Sequence, residues 1–315
     1  MMKKTQNIES ELVVSIIVCT YNQERYIAQT LDSILMQHCD FDVEVLVGED
    51  CGTDNTRRIC EEYAQKYPQV KLLDRPHNLG KQRNFFDALC QARGKYVSMC
   101  DGDDYWQDEL MLQKEVDYLE SHPECVIAYH DSIMVDGEGN VISESEVGEN
   151  RRCDFSSDEL VRGRNISNRT ICFRNIVDFS KIDVTGVYNE DTFVYAIVGQ
   201  YGCGHFMEGL KPSVYRILGG SIWNAQGEIK RAFWAMGTMK AIWKYYKSQK
   251  HKVYAPYYMD KYFQANDKYM FLACQTHDKR AAWRSFCISL KGIRRKRYFV
   301  SLITTFKSLI KCLIK

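Results

Sequence analysis

The chain of 315 residues lacks the glycine-rich phosphate loops of the commonest nucleotide-binding folds. It contains no G-x-x-x-x-G-K-[ST] segment, and no G-x-G-x-x-G segment connects the first predicted strand to the helix that follows. Both motifs hold phosphate with backbone N–H groups at the start of a helix. Their absence argues against a P-loop enzyme and against a dinucleotide-binding dehydrogenase.

Paired cysteines and long apolar runs are also missing. The 13 cysteines include no C-x-x-C pair and no Cys/His cluster with zinc-site spacing, which is typical of reduced thiols in the cytosol. No uninterrupted apolar run approaches the roughly 20 residues that span a bilayer, and the N-terminus is too polar for a secretory signal. The net charge of +1 gives no reason to expect nucleic-acid binding. We therefore expect a cytoplasmic protein.

What is present is a regular alternation of strand and helix patterns. Runs rich in β-branched residues predict strands at 13–20, 43–48, 70–73 and 95–100. Helical patterns occupy 21–37, 54–67 (with Asp54 as the N-cap), 81–93 and the segment from about 108. This alternation predicts βαβ units, that is, an α/β protein with a mainly parallel sheet and helices on both faces.

Polar clusters follow three of these strands: "TYNQE", "EDCGTD" and "DGDD". Ligands of such sheets bind outside the carboxyl ends of the strands, so three clusters at one edge indicate a binding site. The last cluster places Asp101, Asp103 and Asp104 within four positions, where ionised carboxylates repel one another unless something compensates. Taken alone, "DGDD" is more typical of a solvated turn in which Asp104 or Asp108 caps the next helix.

Four segments, in order and spacing, resemble a known family. They are "SIIVCTYNQERYIAQTLDSILMQ", "EDCGTDNT", "HNLGKQRNFFDAL" and "GKYVSMCDGDDYW", within about residues 13–135, with a weaker continuation in "YNEDTF" and "VYRILGGSIW". The family is that of the family 2 inverting glycosyltransferases of GT-A fold. The resemblance implies transfer of a sugar from a nucleoside diphosphate donor to an acceptor hydroxyl, with inversion at the anomeric carbon.

The resemblance also implies roles for individual residues. In this chain Thr20, Tyr21 and Glu24 match the end of the first strand that lines the nucleotide pocket. Asp50 matches the residue that accepts from the base, and Arg83 matches a basic residue beside base and phosphates. In the D-x-D motif, Asp101 faces the ribose, Asp103 ligates the metal, and Gly102 lets the chain turn tightly towards the donor.

A divalent cation, Mg²⁺ or Mn²⁺, is the cofactor implied by this arrangement. A diphosphate carries about two to three negative charges, which a carboxylate cluster alone would repel, and a hard cation bound to one or two carboxylates bridges the two. Such an ion also stabilises the departing nucleoside diphosphate.

Inversion in one displacement requires a base for the acceptor hydroxyl. The family's "E-D" segment corresponds to Glu190 and Asp191, and the resemblance favours Asp191 as base and Glu190 as an acceptor contact. Either carboxylate could instead only stabilise a helix N-terminus. Arg216 is expected at the phosphates or in a surface salt bridge, while Leu218 stands where many relatives have a histidine. Trp223 is a candidate acceptor contact.

These observations predict a domain organisation. A GT-A domain is expected at 11–225, with a donor half at about 11–135 and an acceptor half at about 136–225. A helical extension follows at 226–315. Its tail, 291–315, has eight basic residues and no acidic ones, with an apolar helical face. This pattern is typical of a helix at a membrane surface, here the cytoplasmic face of the inner membrane, and equally of a helix docked on the core.

The expected partners are a nucleoside diphosphate sugar and a glycan or lipid-linked acceptor, in surface polysaccharide or glycolipid synthesis. Two alternatives remain open. A nucleotidyltransferase of similar architecture would require a glycine-rich, basic phosphate loop after the first strand, which "TYNQERY" lacks. A non-catalytic nucleotide-sugar-binding module would not require both Asp103 and Asp191.

Overall fold

The structure is a computed structural model that describes residues 12–164, 166–218, 227–292 and 310. Trp223 and nearly all of the tail 291–315 lie outside the described residues. The chain divides into two compact units. The first comprises the described residues up to 181 together with 194–218, and the second comprises 182–193 and the described residues after 218. The predicted boundary at 225/226 stays a prediction, and the segment 182–193 groups with the C-terminal helices.

The first unit contains a seven-stranded, mainly parallel sheet, as the sequence predicts. Numbered in chain order, its strands are β1 (Leu12–Thr20), β2 (Asp42–Glu49), β3 (Val70–Leu72), β4 (Tyr96–Met99), β5 (Cys125–Tyr129), β8 (Ile171–Arg174) and β9 (Cys203–Phe206). Their order is β3-β2-β1-β4-β8-β5-β9. Only β8 is antiparallel to its neighbours, so the other six strands end at the same edge. A second sheet has the order β10-β6-β7 and is formed by β6 (Ser132–Val135), β7 (Val141–Ser143) and β10 (Ser213–Arg216).

The helices are α1 (Ile27–Leu35), α2 (Thr56–Lys66), α3 (Lys81–Gln91), α4 (Met111–Ser121), α5 (Ser157–Val161), α6 (Glu190–Val198), α7 (Glu228–Ser248), α8 (Tyr254–Gln275) and α9 (Lys279–Gly292). The expectation of Asp54 as N-cap of α2 is wrong, because the helix begins one residue later with Asn55 as N-cap. Asp54 still accepts a hydrogen bond from the Thr56 N–H, at 2.9 Å.

The central strand β1 is covered on both faces, which explains its continuous apolar run. Val14, Ile16 and Val18 alternate towards one face, where they share a core with apolar residues of α1, α2 and α4. Ile17 points to the opposite face and is also buried. Helix α3 lies outside that shared core yet contacts β1 and β2, so helices cover both faces as predicted.

The second unit is a helical assembly built on α7, α8 and α9. Its core contains Ala232, Met236, Tyr262, Phe263 and Ala282, all of which are buried. Trp234 is 8% exposed and stacks on Tyr188, so this aromatic side chain packs the unit rather than forming an open platform for a sugar.

Two absences hold for the described part of the chain. None of its helices combines the length and apolar character needed to cross a membrane. Its cysteines are free thiols.

Candidate donor-binding site

Strand register brings the three polar clusters together. β1 pairs in parallel with β2, placing Thr20 opposite Glu49, and with β4, placing Ile17 opposite Met99. Beyond the strands, the Asp50 N–H donates to the Thr20 carbonyl at 3.0 Å and the Gly102 N–H donates to the Cys19 carbonyl at 2.9 Å. The segments after β1, β2 and β4 are therefore neighbours at one sheet edge.

Gly102 packs tightly against the end of β1. A Cβ atom at this position would lie 2.6 Å from Thr20 Cβ and Oγ1 and 2.6 Å from Gln23 Oε1. The described backbone of Gly102 does not have a positive φ. Glycine is therefore required here for the packing of the D-x-D loop against the end of β1, rather than for a left-handed turn.

The loops after β1 and β2 hold each other in place. Asn22 Oδ1 accepts from the Thr53 N–H at 2.6 Å, and Glu24 Oε2 accepts from the Asn55 N–H at 2.9 Å. Both loops contain a non-glycine residue at positive φ, namely Asn22 at 52° and Cys51 at 56°. Such backbone strain is concentrated at functional sites.

The other predicted residues of the first loop differ in exposure. Thr20 is 3% exposed, whereas Tyr21 is 44% exposed. Glu24 is exposed too, and its carboxylate bonds to the start of α2. The contacts of Glu24 are thus with protein, and its role at a nucleotide stays a prediction.

Asp50 fixes the loop before α3. This buried carboxylate accepts from the Leu79 N–H at 2.6 Å and from the Gly80 N–H at 2.8 Å. The Asp50 carbonyl also accepts from the side chain of Asn78, at 2.9 Å. Asp50 therefore positions the first turn of α3, and contact with a base stays a prediction.

The first turn of α3 supplies the basic groups of the site. Lys81 Nζ lies 3.5 Å from Asp101 Oδ2. Arg83 is exposed, and its side chain forms no hydrogen bond or ion pair with the residues described. The sequence reasoning selected Arg83 and missed Lys81. Lys81 could have been identified from the composition of this turn, which has basic residues and no acidic one. Basic residues are unfavourable at a helix N-terminus unless an anion binds there.

Asp103 is the unpaired carboxylate of the D-x-D motif. Burial and the charge of Asp101 raise the pKa of Asp103 to about 6, while Lys81 and Arg169 oppose that rise. Among the described residues no side chain donates a hydrogen bond to this carboxylate, although the N–H of Asp103 itself does. It is therefore available to an external cation.

The carboxylate of Asp104, the residue after Asp103, is bound by other residues of the protein. Its Oδ2 accepts from Arg169 Nε at 2.6 Å, and its Oδ1 accepts from the Arg216 N–H at 2.9 Å. Burial raises the pKa of Asp104, and the guanidinium of Arg169 opposes that effect. The alternative in which Asp104 or Asp108 caps the next helix is thus wrong, because the N-cap of α4 is Leu110 and no side chain caps it. Asp108 accepts from the Leu110 N–H at 3.0 Å, just before the helix.

Arg216 is buried behind the D-x-D loop. Its Nε donates to the Asp103 carbonyl at 3.0 Å, and its Nη2 donates to Gln29 Oε1 at 2.7 Å. The guanidinium also lies 4.6 Å from the ring centre of Tyr26. Arg216 is therefore not the surface salt-bridge residue that the sequence offered as one alternative. It holds the backbone of Asp103, and contact with phosphate stays a prediction.

The described residues suit a cation that is shared with a ligand. They contain no group of three or more His, Cys, Asp or Glu side chains arranged to hold a metal. Asp101 and Asp103 nevertheless provide two hard oxygen donors. Burial, followed by the charge of Asp101, raises the pKa of Asp103, and a cation would offset both effects. Mg²⁺ is commonly held by one or two carboxylates, with phosphate and water as the other ligands.

The predicted catalytic pair lies in the second unit. Glu190 and Asp191 occupy the first turn of α6, as expected from the sequence. Glu190 is 5% exposed, and Asp191 Oδ1 accepts from the Thr192 N–H at 2.6 Å. The predicted acceptor contact Trp223 lies outside the described residues.

Known proteins share this sequence pattern and this fold. Uncharacterised proteins of Mycobacterium tuberculosis and Mycobacterium bovis are 36% identical over 225 residues, which is 70% of this chain but only 63% of theirs. The poly(ribitol-phosphate) beta-N-acetylglucosaminyltransferase TarS of Staphylococcus aureus is 40% identical over 114 residues, 34% of this chain and 19% of TarS.

The structural comparison gives the fold. The crystal structure of residues 1–349 of S. aureus TarS with UDP-GlcNAc matches with a TM-score of 0.54 at 19% identity, covering 82% of this chain and 81% of that one. The chain accordingly has the GT-A fold. The family model for glycosyl transferase family 2 matches residues 15–176. The chain belongs to glycosyl transferase family 2.

Proposed function

We propose that the chain transfers a sugar from a nucleoside diphosphate donor to an acceptor hydroxyl, with inversion, in the synthesis of a surface polysaccharide or glycolipid. The observation that carries the proposal is the register of β1, β2 and β4, which gathers Thr20, Asp50 and the D-x-D motif at one sheet edge. The UDP and UDP-GlcNAc complexes of TarS support a nucleotide-sugar donor.

The diphosphate would bind between α3 and the D-x-D loop. Lys81 and Arg83 lie in the first turn of α3, where the helix dipole adds a partial positive charge. Asp50 holds the backbone of Leu79 and Gly80 in place just before this turn. The nucleotide would thus meet a helix start whose backbone is held in place before it binds.

Asp103, with Asp101 beside it, would hold a divalent cation on the diphosphate. Arg216 fixes the backbone of Asp103, and Arg169 holds the carboxylate of the following residue, Asp104. When bound, Mg²⁺ or Mn²⁺ would neutralise the charge that develops on the leaving nucleoside diphosphate.

The acceptor hydroxyl must lose its proton as the new bond to the anomeric carbon forms. We assign this proton transfer to the carboxylate of Asp191, on the basis of its position in the "E-D" segment and at the start of α6. Glu190 and Trp223 are proposed acceptor contacts, and a glycan or lipid-linked molecule is the proposed acceptor. We also propose a cytoplasmic location, with the tail 291–315 at the membrane surface.

The test is a screen of nucleotide sugars for protection against thermal unfolding, with Mg²⁺, with Mn²⁺ or with excess EDTA. The expected result is a rise in melting temperature with one class of nucleotide sugar that EDTA removes. Incubation of that donor with candidate acceptors should then release nucleoside diphosphate. Release of sugar 1-phosphate, with transfer of the nucleoside monophosphate, would favour a nucleotidyltransferase, and binding without turnover would favour a non-catalytic module.

A further inference from the structure

A second pocket lies at the same sheet edge, beyond β5 and β9. Its volume is about 340 Å³, and it is lined in part by Asp131, which follows β5, and by Met207 and Glu208, which follow β9. These two strands are parallel, with Tyr129 opposite Phe206. β8 is antiparallel to both β4 and β5, so β5 ends at the same edge as β4. With strands about 4.8 Å apart, the pocket lies about 10–15 Å along the sheet from the D-x-D motif.

The polar wall of this pocket is a preformed ion pair. Asp131 is 8% exposed, and its Oδ2 accepts from Ser145 Oγ at 2.6 Å and from Arg152 Nε at 2.9 Å. The Arg152 side chain remains 42% exposed. The pair therefore presents a guanidinium in a fixed position to any ligand, with little further ordering required on binding.

The remaining lining combines apolar surface with further negative charge. Phe206, Leu210 and Pro212 provide apolar surface, which suits the C–H faces of a sugar ring. Glu144 and Glu208 are both exposed at the pocket. Because Arg152 already neutralises Asp131, these two carboxylates leave the pocket with a net negative charge. Each of these carboxylates would repel a phosphate group bound in the pocket.

We propose that this pocket binds a sugar residue of the acceptor glycan, and that the bound sugar is neutral or carries an amine rather than phosphate. The inference rests on the proposed transferase function and names its acceptor class. The inference gives this chain a different acceptor from that of the poly(ribitol-phosphate) transferase to which it is similar. A polyanionic acceptor would be repelled by Glu144 and Glu208.

The test is calorimetric titration of the full chain with three probes: cellotriose, the glucosamine trisaccharide of chitosan, and a ribitol phosphate trimer. We expect the glucosamine trisaccharide to bind most tightly and the ribitol phosphate trimer at least 10-fold more weakly than cellotriose. The double variant Glu144→Gln/Glu208→Gln should reduce both differences several-fold. Glu149→Gln, which removes an exposed carboxylate that does not line the pocket, should leave them unchanged.

Three results would overturn the pocket assignment: equal binding of the ribitol phosphate trimer and cellotriose, equal effects of the double variant and Glu149→Gln, or binding of none of the probes. Donor binding is measured separately by the thermal shift of the wild-type chain with nucleotide sugar. If that shift is absent, the proposed function fails; if it is present while the probes behave contrary to expectation, only the acceptor inference fails.

Discussion

Asp104 and Arg169 form an ion pair of 2.6 Å between side chains that are 2% and 8% exposed. Asp104 directly follows Asp103, so this pair fixes the end of the D-x-D loop to the segment before β8. Glu146 extends the pair, since its Oε2 accepts from Arg169 Nη1 at 2.7 Å and from Ser167 Oγ at 2.6 Å. A network of charged side chains therefore holds in place the residue next to Asp103, the candidate metal ligand.

The first prediction is that Arg169→Met destabilises the chain strongly. The variant leaves the buried carboxylate of Asp104 without its partner, and loss of one member of a buried pair costs about 3–5 kcal/mol. The midpoint of urea unfolding, followed by tryptophan fluorescence to which the buried Trp106 contributes, measures this loss. Trp106 reports on the same region because its Nε1–H donates to the Arg169 carbonyl.

The matched control for that prediction is Arg162→Met. Arg162 pairs with Asp158 at 2.6 Å, but both side chains are exposed, at 37% and 51%. Exposed pairs contribute about 0–1 kcal/mol, so this variant should unfold almost as the wild type does. Equal shifts of the unfolding midpoint in the two variants would contradict the role given to the buried pair.

Features with a local pattern could be predicted from the sequence, whereas contacts between distant residues could not. The run containing Ile16 and Val18 predicts a buried strand because the signal lies within that strand. The partnership of Asp104 with Arg169 joins residues 65 positions apart and leaves no local signal. Helix α1, expected from the start of 21–37, begins only at Ile27 because the preceding loop is held from elsewhere, with the Gln23 N–H donating to Thr56 Oγ1.

The second prediction concerns Asp103. Asp103→Asn removes the charge that a cation requires but keeps the size of the side chain. We expect transfer to fall by orders of magnitude, the metal-dependent thermal shift with donor to disappear, and the melting temperature without ligand to stay near that of the wild type. Unchanged turnover in this variant, or full wild-type activity in excess EDTA, would remove the metal from the proposal.

The third prediction concerns Asp50. Asp50→Ala frees the backbone of Leu79 and Gly80 and so loosens the first turn of α3, which carries Lys81 and Arg83. The dissociation constant of the nucleoside diphosphate, measured by calorimetry, should rise about 10-fold, as expected for loss of about 1–2 kcal/mol of charged hydrogen bonding. Asp74→Ala, at an exposed position before α3, is the control. Altered acceptor kinetics with unchanged nucleotide affinity would mean that the nucleotide does not bind beside Asp50 and the first turn of α3.

The fourth prediction is a pH dependence of stability that originates at Glu44. Burial alone would raise the pKa of this carboxyl, but hydrogen bonds from Lys71, Arg93 and Ser15 lower it from 4.5 to about 2. A lowered folded-state pKa means that the stabilisation is complete above the unfolded value of 4.5 and is lost as the pH falls towards 2.

Glu44→Gln tests this dependence. At pH 7 the variant should be less stable by about 1–3 kcal/mol, since it loses hydrogen bonds to a charged acceptor. The difference from wild type should shrink steadily when urea unfolding is repeated from pH 5 downwards. Glu62→Gln removes an exposed partner of Arg58 and should show little difference at any pH. A Glu44→Gln deficit that does not change with pH would assign the effect to packing.

The last prediction concerns the chemical step, for which Asp191 is the proposed base. Asp191→Asn keeps the size of the side chain, and its amide oxygen can still accept from the Thr192 N–H, but it removes basicity. Donor affinity should therefore hold, while single-turnover transfer slows by about 10²–10⁴-fold, the usual contribution of a general base. Glu190→Gln, one residue earlier in the same helical turn, is the matched control and should be milder. Near-normal single-turnover transfer by Asp191→Asn, or a product that retains the anomeric configuration, would leave Asp191 with only a structural role at the start of α6.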